Sequence, residues 1–185
     1  MSERAEQFIG HLMVLKEKDS GAMAVLRHSL AFEPGNYPRA FAYVERFAGA
    51  ATHEHDGWRL ALYAVAGLFA SHPSSMPRSF AAAFGELMRL RSKPNEPNKS
   101  IEGRFMAILG ADAENIADYL RQAVSLLAAK DMGFDYVRLL DDLAVWMNGN
   151  TDPAWRDRKR QLWARDFYQS AQVAAESTDA DSKED

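Results

Sequence analysis

Trp58-Arg-Leu-Ala-Leu-Tyr-Ala-Val-Ala-Gly-Leu-Phe-Ala70 is the most apolar stretch of the chain, and small residues separate its larger ones. Leu62, Val65, Ala66 and Phe69 recur at helical spacing. A helix that is apolar all round is buried rather than laid on a surface, so this stretch predicts a central helix with others packed about it. His72-Pro73 ends it, because the residue before a proline is steered out of helical dihedrals.

Helical periodicity continues on both sides, and no strand-like alternation lasts long enough to compete. A first helix is predicted from Ser2 to about Lys18, with Phe8, Leu12 and Leu15 on one face. Ser20 is expected to cap a second, striped by Met23, Leu26 and Leu30. Pro34-Gly-Asn-Tyr-Pro38 is a turn, and Pro38 suits the start of a third helix ending near Gly49. Further helices are predicted at about Pro77–Arg91, Ile101–Leu109, Ala113–Ala129, Tyr136–Met147 and Pro153 to about Ala174. Asp112, Asp135 and Asp152 are the expected caps of the last three. Ser92-Lys-Pro-Asn-Glu-Pro-Asn-Lys99 cannot continue a helix. The expectation is an all-α bundle of about eight to nine helices in two packed lobes. Residues 1–91 form the N-terminal lobe, 92–99 the linker, 100–175 the C-terminal lobe and 176–185 a disordered acidic tail.

Net charge is −4, which on its face opposes capture of nucleic acid. The last ten residues carry five acids and one lysine, however, so the first 175 are neutral and can still present a basic face. The chain has no cysteine, which excludes disulfides and thiolate metal sites and suits a reducing compartment. No apolar run reaches the roughly 18 residues needed to span a bilayer, and Met1-Ser-Glu-Arg does not resemble a secretory signal. A soluble, cytoplasmic protein is expected.

The motifs that announce catalysis are missing. No GxSxG, GxGxxG or GxxxxGK[ST] occurs, which removes support for acyl transfer, dinucleotide binding and P-loop chemistry. His53-Glu54-His55-Asp56 lacks the spacing of hydrolase metal motifs and reads as a solvated loop. Asp141-Asp142, close to Arg138, reads as a surface ion-pair cluster. Trp58, Trp146, Trp155 and Trp163 read as core rather than stacking platforms. No enzyme, metal or cofactor is expected.

The basic residues remain. Local pairing sorts them, because residues three or four apart on a helix are neighbours. Arg138 has acids within reach on its own helix; Arg59, Arg121, Lys16 and Arg89 each have one. Arg27, Arg39, Arg78, Arg91, Arg104, Arg158, Lys159 and Arg165 have none. A guanidinium without a local carboxylate is available to an anion, and its planar fork suits phosphate. Arg27 and Arg104 therefore stand out as candidate nucleic-acid contacts.

Both lie in segments with a wider likeness. Gly21-Ala-Met-Ala-Val-Leu-Arg27, Ala64-Val-Ala-Gly-Leu-Phe-Ala-Ser-His-Pro73 and Ser100–Asp112 with Arg104 resemble the CasB family, the small subunit of the type I-E CRISPR Cascade surveillance complex. Leu120-Arg121, Phe134-Asp-Tyr-Val-Arg-Leu-Leu-Asp-Asp-Leu-Ala-Val-Trp146 and Trp163-Ala-Arg-Asp-Phe-Tyr168 continue the resemblance over most of residues 5–170. Where many members have two consecutive basic residues, this chain has Arg27-His28. The resemblance implies a non-catalytic ribonucleoprotein subunit that contacts guide RNA and target DNA through their backbones and stabilises the R-loop in antiviral defence. Its implied partners are the other Cascade subunits and a second copy of itself. By match, Arg27, Arg104 and Arg121 are implied backbone contacts, with Arg39, Arg59, Lys16 and Lys99 as weaker candidates. A helical scaffold that never touches nucleic acid is the rival reading.

Overall fold

The centre of the molecule is the helix Gly57–Ser71, with Ala61 to Ala70 buried without interruption. Asp56 caps it by accepting from the Arg59 N–H, and the His72 N–H closes its far end on the Leu68 and Phe69 carbonyls. The computed structural model describes residues 2–49, 53–93 and 96–172, and the following helices are numbered within them. They are α1 (Glu3–Lys18), α2 (Ser20–His28), α3 (Phe41–Val44), α4 (Gly57–Ser71), α5 (Phe80–Arg91), α6 (Lys99–Gly110), α7 (Ile116–Ala128), α8 (Tyr136–Trp146) and α9 (Pro153–Gln172). Among the described residues the fold is all-α, its sole extended pairing an isolated bridge between Lys93 and Glu96. The acidic 176–185 segment lies outside the described residues.

α4 packs against α2 on one side and α8 on another, and α5 lies along α9. Both sides of the Ser92–Lys99 connection contribute to one buried cluster. Two close approaches set the layering. A Cβ at Gly85 would collide with the Phe167 carbonyl, so α5 and α9 touch backbone to backbone. A Cβ at Gly67 would stand 2.7 Å from Leu30 Cδ2 and 3.3 Å from the Leu26 carbonyl, so glycine is what lets the end of α2 settle on α4. Aromatic stacks fill the α6–α9 side, with Phe105 and Phe167 parallel at 3.9 Å and Trp146 against Trp163 at 5.1 Å.

Several expectations need correction. Asp19, not Ser20, caps α2, because its carboxylate reaches the Ala22 N–H at 2.8 Å. The expected third helix is broken into 3₁₀ turns at Pro38–Ala40 and Glu45–Phe47 around the four-residue α3. Val44 opens to φ −114° just before Glu45, whose half-exposed carboxylate meets Arg59 and Tyr63. Asp112 does not cap α7. Its carboxylate holds the Glu114 and Asn115 N–H groups in a turn that delays the helix to Ile116. α5 likewise starts later, at Phe80, capped by Ser79. Asp135 and Asp152 do cap as expected.

Asp141-Asp142 is no surface cluster. Asp141 takes the Ser2 N–H and hydroxyl, fixing the start of α1, and Asp142 is buried. Trp155 is 54% exposed, with the Arg158 guanidinium over its ring, so it is not core. Trp146 and Trp163 are buried, and Trp58 is half-buried with its indole N–H on the Phe47 carbonyl.

Candidate nucleic-acid interface

The end of α4 exposes carbonyls that the helix cannot satisfy itself, and cations collect there. Leu26 of α2 is buried where that helix packs against α4, so the next residue, Arg27, comes off the stripe into solvent. From there its Nε donates to the Ala70 carbonyl at 3.0 Å. Lys16, exposed in the last turn of α1, donates to the Pro73 carbonyl at 2.9 Å. Both cations sit at the negative end of the α4 dipole, which favours positive charge.

The row continues past α2. The 3₁₀ turn Ser29–Ala31 presents the Leu30 carbonyl, and Arg121 from α7 donates to it at 2.6 Å. Next to Arg121, the Gln122 amide oxygen accepts from Arg104 of α6 at 3.3 Å. Lys99, the first residue of α6, shares a shallow groove of about 340 Å³ with Arg104. Ser100, Gly103, Tyr119 and Gln122 line it too, and no carboxylate does. The one acid in the first turn of α6, Glu102, is turned away to accept from the Tyr168 hydroxyl at 2.9 Å.

Lys16, Arg27, Arg121, Arg104 and Lys99 thus form a path over four helices. Where a hydrogen-bond partner is present it is neutral, a carbonyl or an amide. Among the described residues none of the five makes an ion pair. A guanidinium bonded to a carbonyl keeps its whole charge, and of the five, Arg121 also lines a cavity with the Glu33, Glu114 and Asp118 carboxylates.

Arg39 and Arg59 differ. Arg39 is exposed on the Pro38–Ala40 turn, which packs beside α2. Arg59 is buried: its Nε meets Glu45 at 3.0 Å, an NH group reaches the Glu54 carbonyl, and its plane lies over the Tyr63 ring at 5.0 Å. That guanidinium already has its anion. Hydrogen bonding from Arg59 holds the Glu45 carboxyl below its ordinary range against the opposing effect of burial. Burial, and then Glu45, push the Tyr63 hydroxyl up. Local spacing assigned Arg59 to Asp56, but Asp56 takes only its backbone N–H.

Sequence reasoning missed Gln122 and Tyr119, which carry no charge and have no signal beyond standing beside Arg121 on α7. It also missed tertiary partners. Arg78 meets Glu86 and the Gly133 carbonyl, and Lys159 meets Asp142. In the histidine loop, His53 accepts from the His55 N–H and Asp56 is engaged as the α4 cap. Among the described residues there is no group of three or more side chains able to hold a metal ion, and no helix long and apolar enough to cross a membrane.

Known proteins share this sequence pattern and this fold. The family model of CRISPR-associated protein Cse2 matches residues 22–168. The Cse2 protein of Thermus thermophilus is 37% identical over 167 residues, covering 88% of this chain and 89% of the relative. The crystal structure of a Cse2-family protein from the same organism covers 91% of this chain and 99% of its own, with a TM-score of 0.75. M. ruber CasB, at 28% identity, covers 92% and 95% with a TM-score of 0.70. A chain from a CRISPR RNA-guided surveillance complex shares the fold at TM-score 0.74 and 20% identity, covering 92% of this chain and 95% of its own. The chain belongs to the Cse2 family of CRISPR-associated proteins, the CasB family that its sequence resembles.

Proposed function

We propose that this chain is the small, non-catalytic subunit of a type I-E Cascade complex, and that it holds the backbones of guide RNA and target DNA and steadies the R-loop in antiviral defence. The observation that carries the reading is the row Lys16, Arg27, Arg121, Arg104 and Lys99, whose partners are neutral. Phosphate contacts fix position and carry no sequence information, which suits a protein whose specificity comes from guide–target pairing. A few such contacts on a neutral body bind weakly alone and usefully once assembly presents them along a strand. R-loop formation is a near-balanced exchange, so a small contribution per contact is enough to tip it. The partners in this reading are guide RNA, target DNA, the other Cascade subunits and a second copy of the chain, all in the cytoplasm. Arg59 has no part in the interface, because its charge is already matched inside the fold.

The test is titration of the purified chain into labelled single-stranded and duplex DNA over a salt series, beside an Arg27→Ala/Arg104→Ala variant. Log affinity should fall linearly with log salt, and the variant's slope should be shallower by about one unit per lost contact. No binding at low salt, by the chain alone or in the assembled complex, leaves the scaffold reading in its place.

A further inference from the structure

Arg121 also lines a second cavity, on the other side of α7 from the basic groove, and its chemistry is different. Of about 200 Å³, it lies between the Ser29–Tyr37 segment and α7. Sites for drug-sized ligands run to roughly 300–1,000 Å³, so this one fits a single ring system. Phe32 and Tyr37 form one wall, stacked at 4.7 Å and 16°. His28 stands edge-on to both, at 5.8 and 5.2 Å. Gly35, at φ +88°, turns the chain so that these rings meet. Phe32 remains 45% exposed. Glu33, Glu114 and Asp118 also line the cavity, against the single cation Arg121.

That balance repels phosphate. Three carboxylates, a flat aromatic wall and one guanidinium suit a planar group rich in N–H donors. Resting on the function proposed above, we propose that this cavity receives one unstacked nucleobase of a strand whose phosphates follow the cation row. Arg121 and Gln122 are consecutive, so they leave α7 about 100° apart, one lining the cavity and the other the groove. A strand crossing α7 thus meets the aromatic cavity on one flank and the Arg104–Lys99 groove on another. Carboxylates accept from exocyclic amino groups and oppose carbonyl oxygens. Cytosine, adenine and guanine are therefore favoured over thymine.

Fluorescence anisotropy of the full chain tests this, using oligodeoxycytidine, oligothymidine and oligodeoxycytidine with abasic sites, each over a salt series. Deoxycytidine should bind about tenfold tighter than the abasic strand, the size of one aromatic–base stack, with thymidine, which stacks but turns carbonyl oxygens to the carboxylates, between the two and all three salt slopes parallel. Phe32→Ala, checked for folding by thermal melt, should bring deoxycytidine down to the abasic level. Glu114→Gln should narrow the gap between deoxycytidine and thymidine without touching the slopes. Equal binding of deoxycytidine and abasic strands, or an unchanged preference in folded Phe32→Ala, overturns the cavity proposal. Parallel slopes would then still leave the cation row standing. No binding of any strand at low salt, by the chain alone or in the assembled complex, removes the row reading and the cavity with it.

Discussion

The seam where α9 meets α5 and α8 and the face formed by α2, α6 and α7 treat their cations in opposite ways. At the seam, cations are met by carboxylates. Asp142 takes the Lys159 ammonium at 2.5 Å and the Trp163 N–H at 2.7 Å. Asp166 takes Arg138 at 2.8 Å and the Ser79 hydroxyl at 2.6 Å, and Glu86 gathers Arg78 and Arg89. On the other face, Arg27, Arg104 and Arg121 rest on neutral oxygens. Arg78, Lys159, Arg27 and Arg104 are alike in lacking a local helical partner. What separates them is the element packed opposite: at the seam a neighbouring turn or helix supplies an acid, whereas α4 gives Arg27 a backbone carbonyl and α7 gives Arg104 an amide. The contrast between structural and available charge is therefore made by tertiary packing, and it can be broken.

The largest effect is expected at the seam. Asp142→Ala strands the Lys159 ammonium and the Trp163 N–H, and should cost about 3 kcal/mol in chemical denaturation, with strand affinity of the folded fraction unchanged. A loss below about 1 kcal/mol would rank this pair with ordinary surface pairs and erase the distinction.

Next comes the opposite face. Arg27→Glu/Arg104→Glu should weaken strand binding by about 100-fold at moderate salt while moving stability by no more than about 0.5 kcal/mol. Intact assembly with unchanged target retention would instead favour the scaffold.

Arg59→Ala is the sharpest discriminator, because the family match and the structure disagree about it. It should destabilise by about 2 kcal/mol by taking the cation from the Glu45 carboxylate, which would keep only the Tyr63 hydroxyl, with strand affinity intact. A loss of affinity without a loss of stability would move Arg59 to the other class.

The smallest effect is in pH. The folded Glu45 carboxyl lies below its unfolded value, chiefly through the Arg59 hydrogen bond. Its contribution to stability is thus complete above the unfolded glutamate pKa and is lost as pH falls through the folded one. Glu45→Gln should flatten the acid limb of a stability–pH curve and leave the neutral plateau's slope untouched.

The fold was largely readable because it rests on periodic burial. The α4 run, the Asp135 and Asp152 caps and the break at Ser92–Lys99 are all local signals. The site was readable only in part. Spacing along one helix puts Arg27 and Arg104 among the cations without a local acid, but nothing local shows that Glu45 would claim Arg59 or that Asp142 would be buried beneath Lys159. The same holds for α3, which gives way to a 3₁₀ turn at Glu45, the residue whose carboxylate meets Arg59 and Tyr63. Tertiary demand overrides local pattern at the residues where charge is placed.

The carbonyls that hold Arg27, Lys16 and Arg121 have a kinetic meaning as well. A phosphate approaching any of them has no ion pair to break and has only to exchange one neutral acceptor for a charged one. Exposed side chains change rotamer in picoseconds to nanoseconds, far faster than a strand diffuses across the surface. On the proposed reading, capture along this face would be limited by encounter rather than by rearrangement. A strand held there would let go of one cation and take up the next as a duplex opens, which locked ion pairs like those of the α9 seam would not permit.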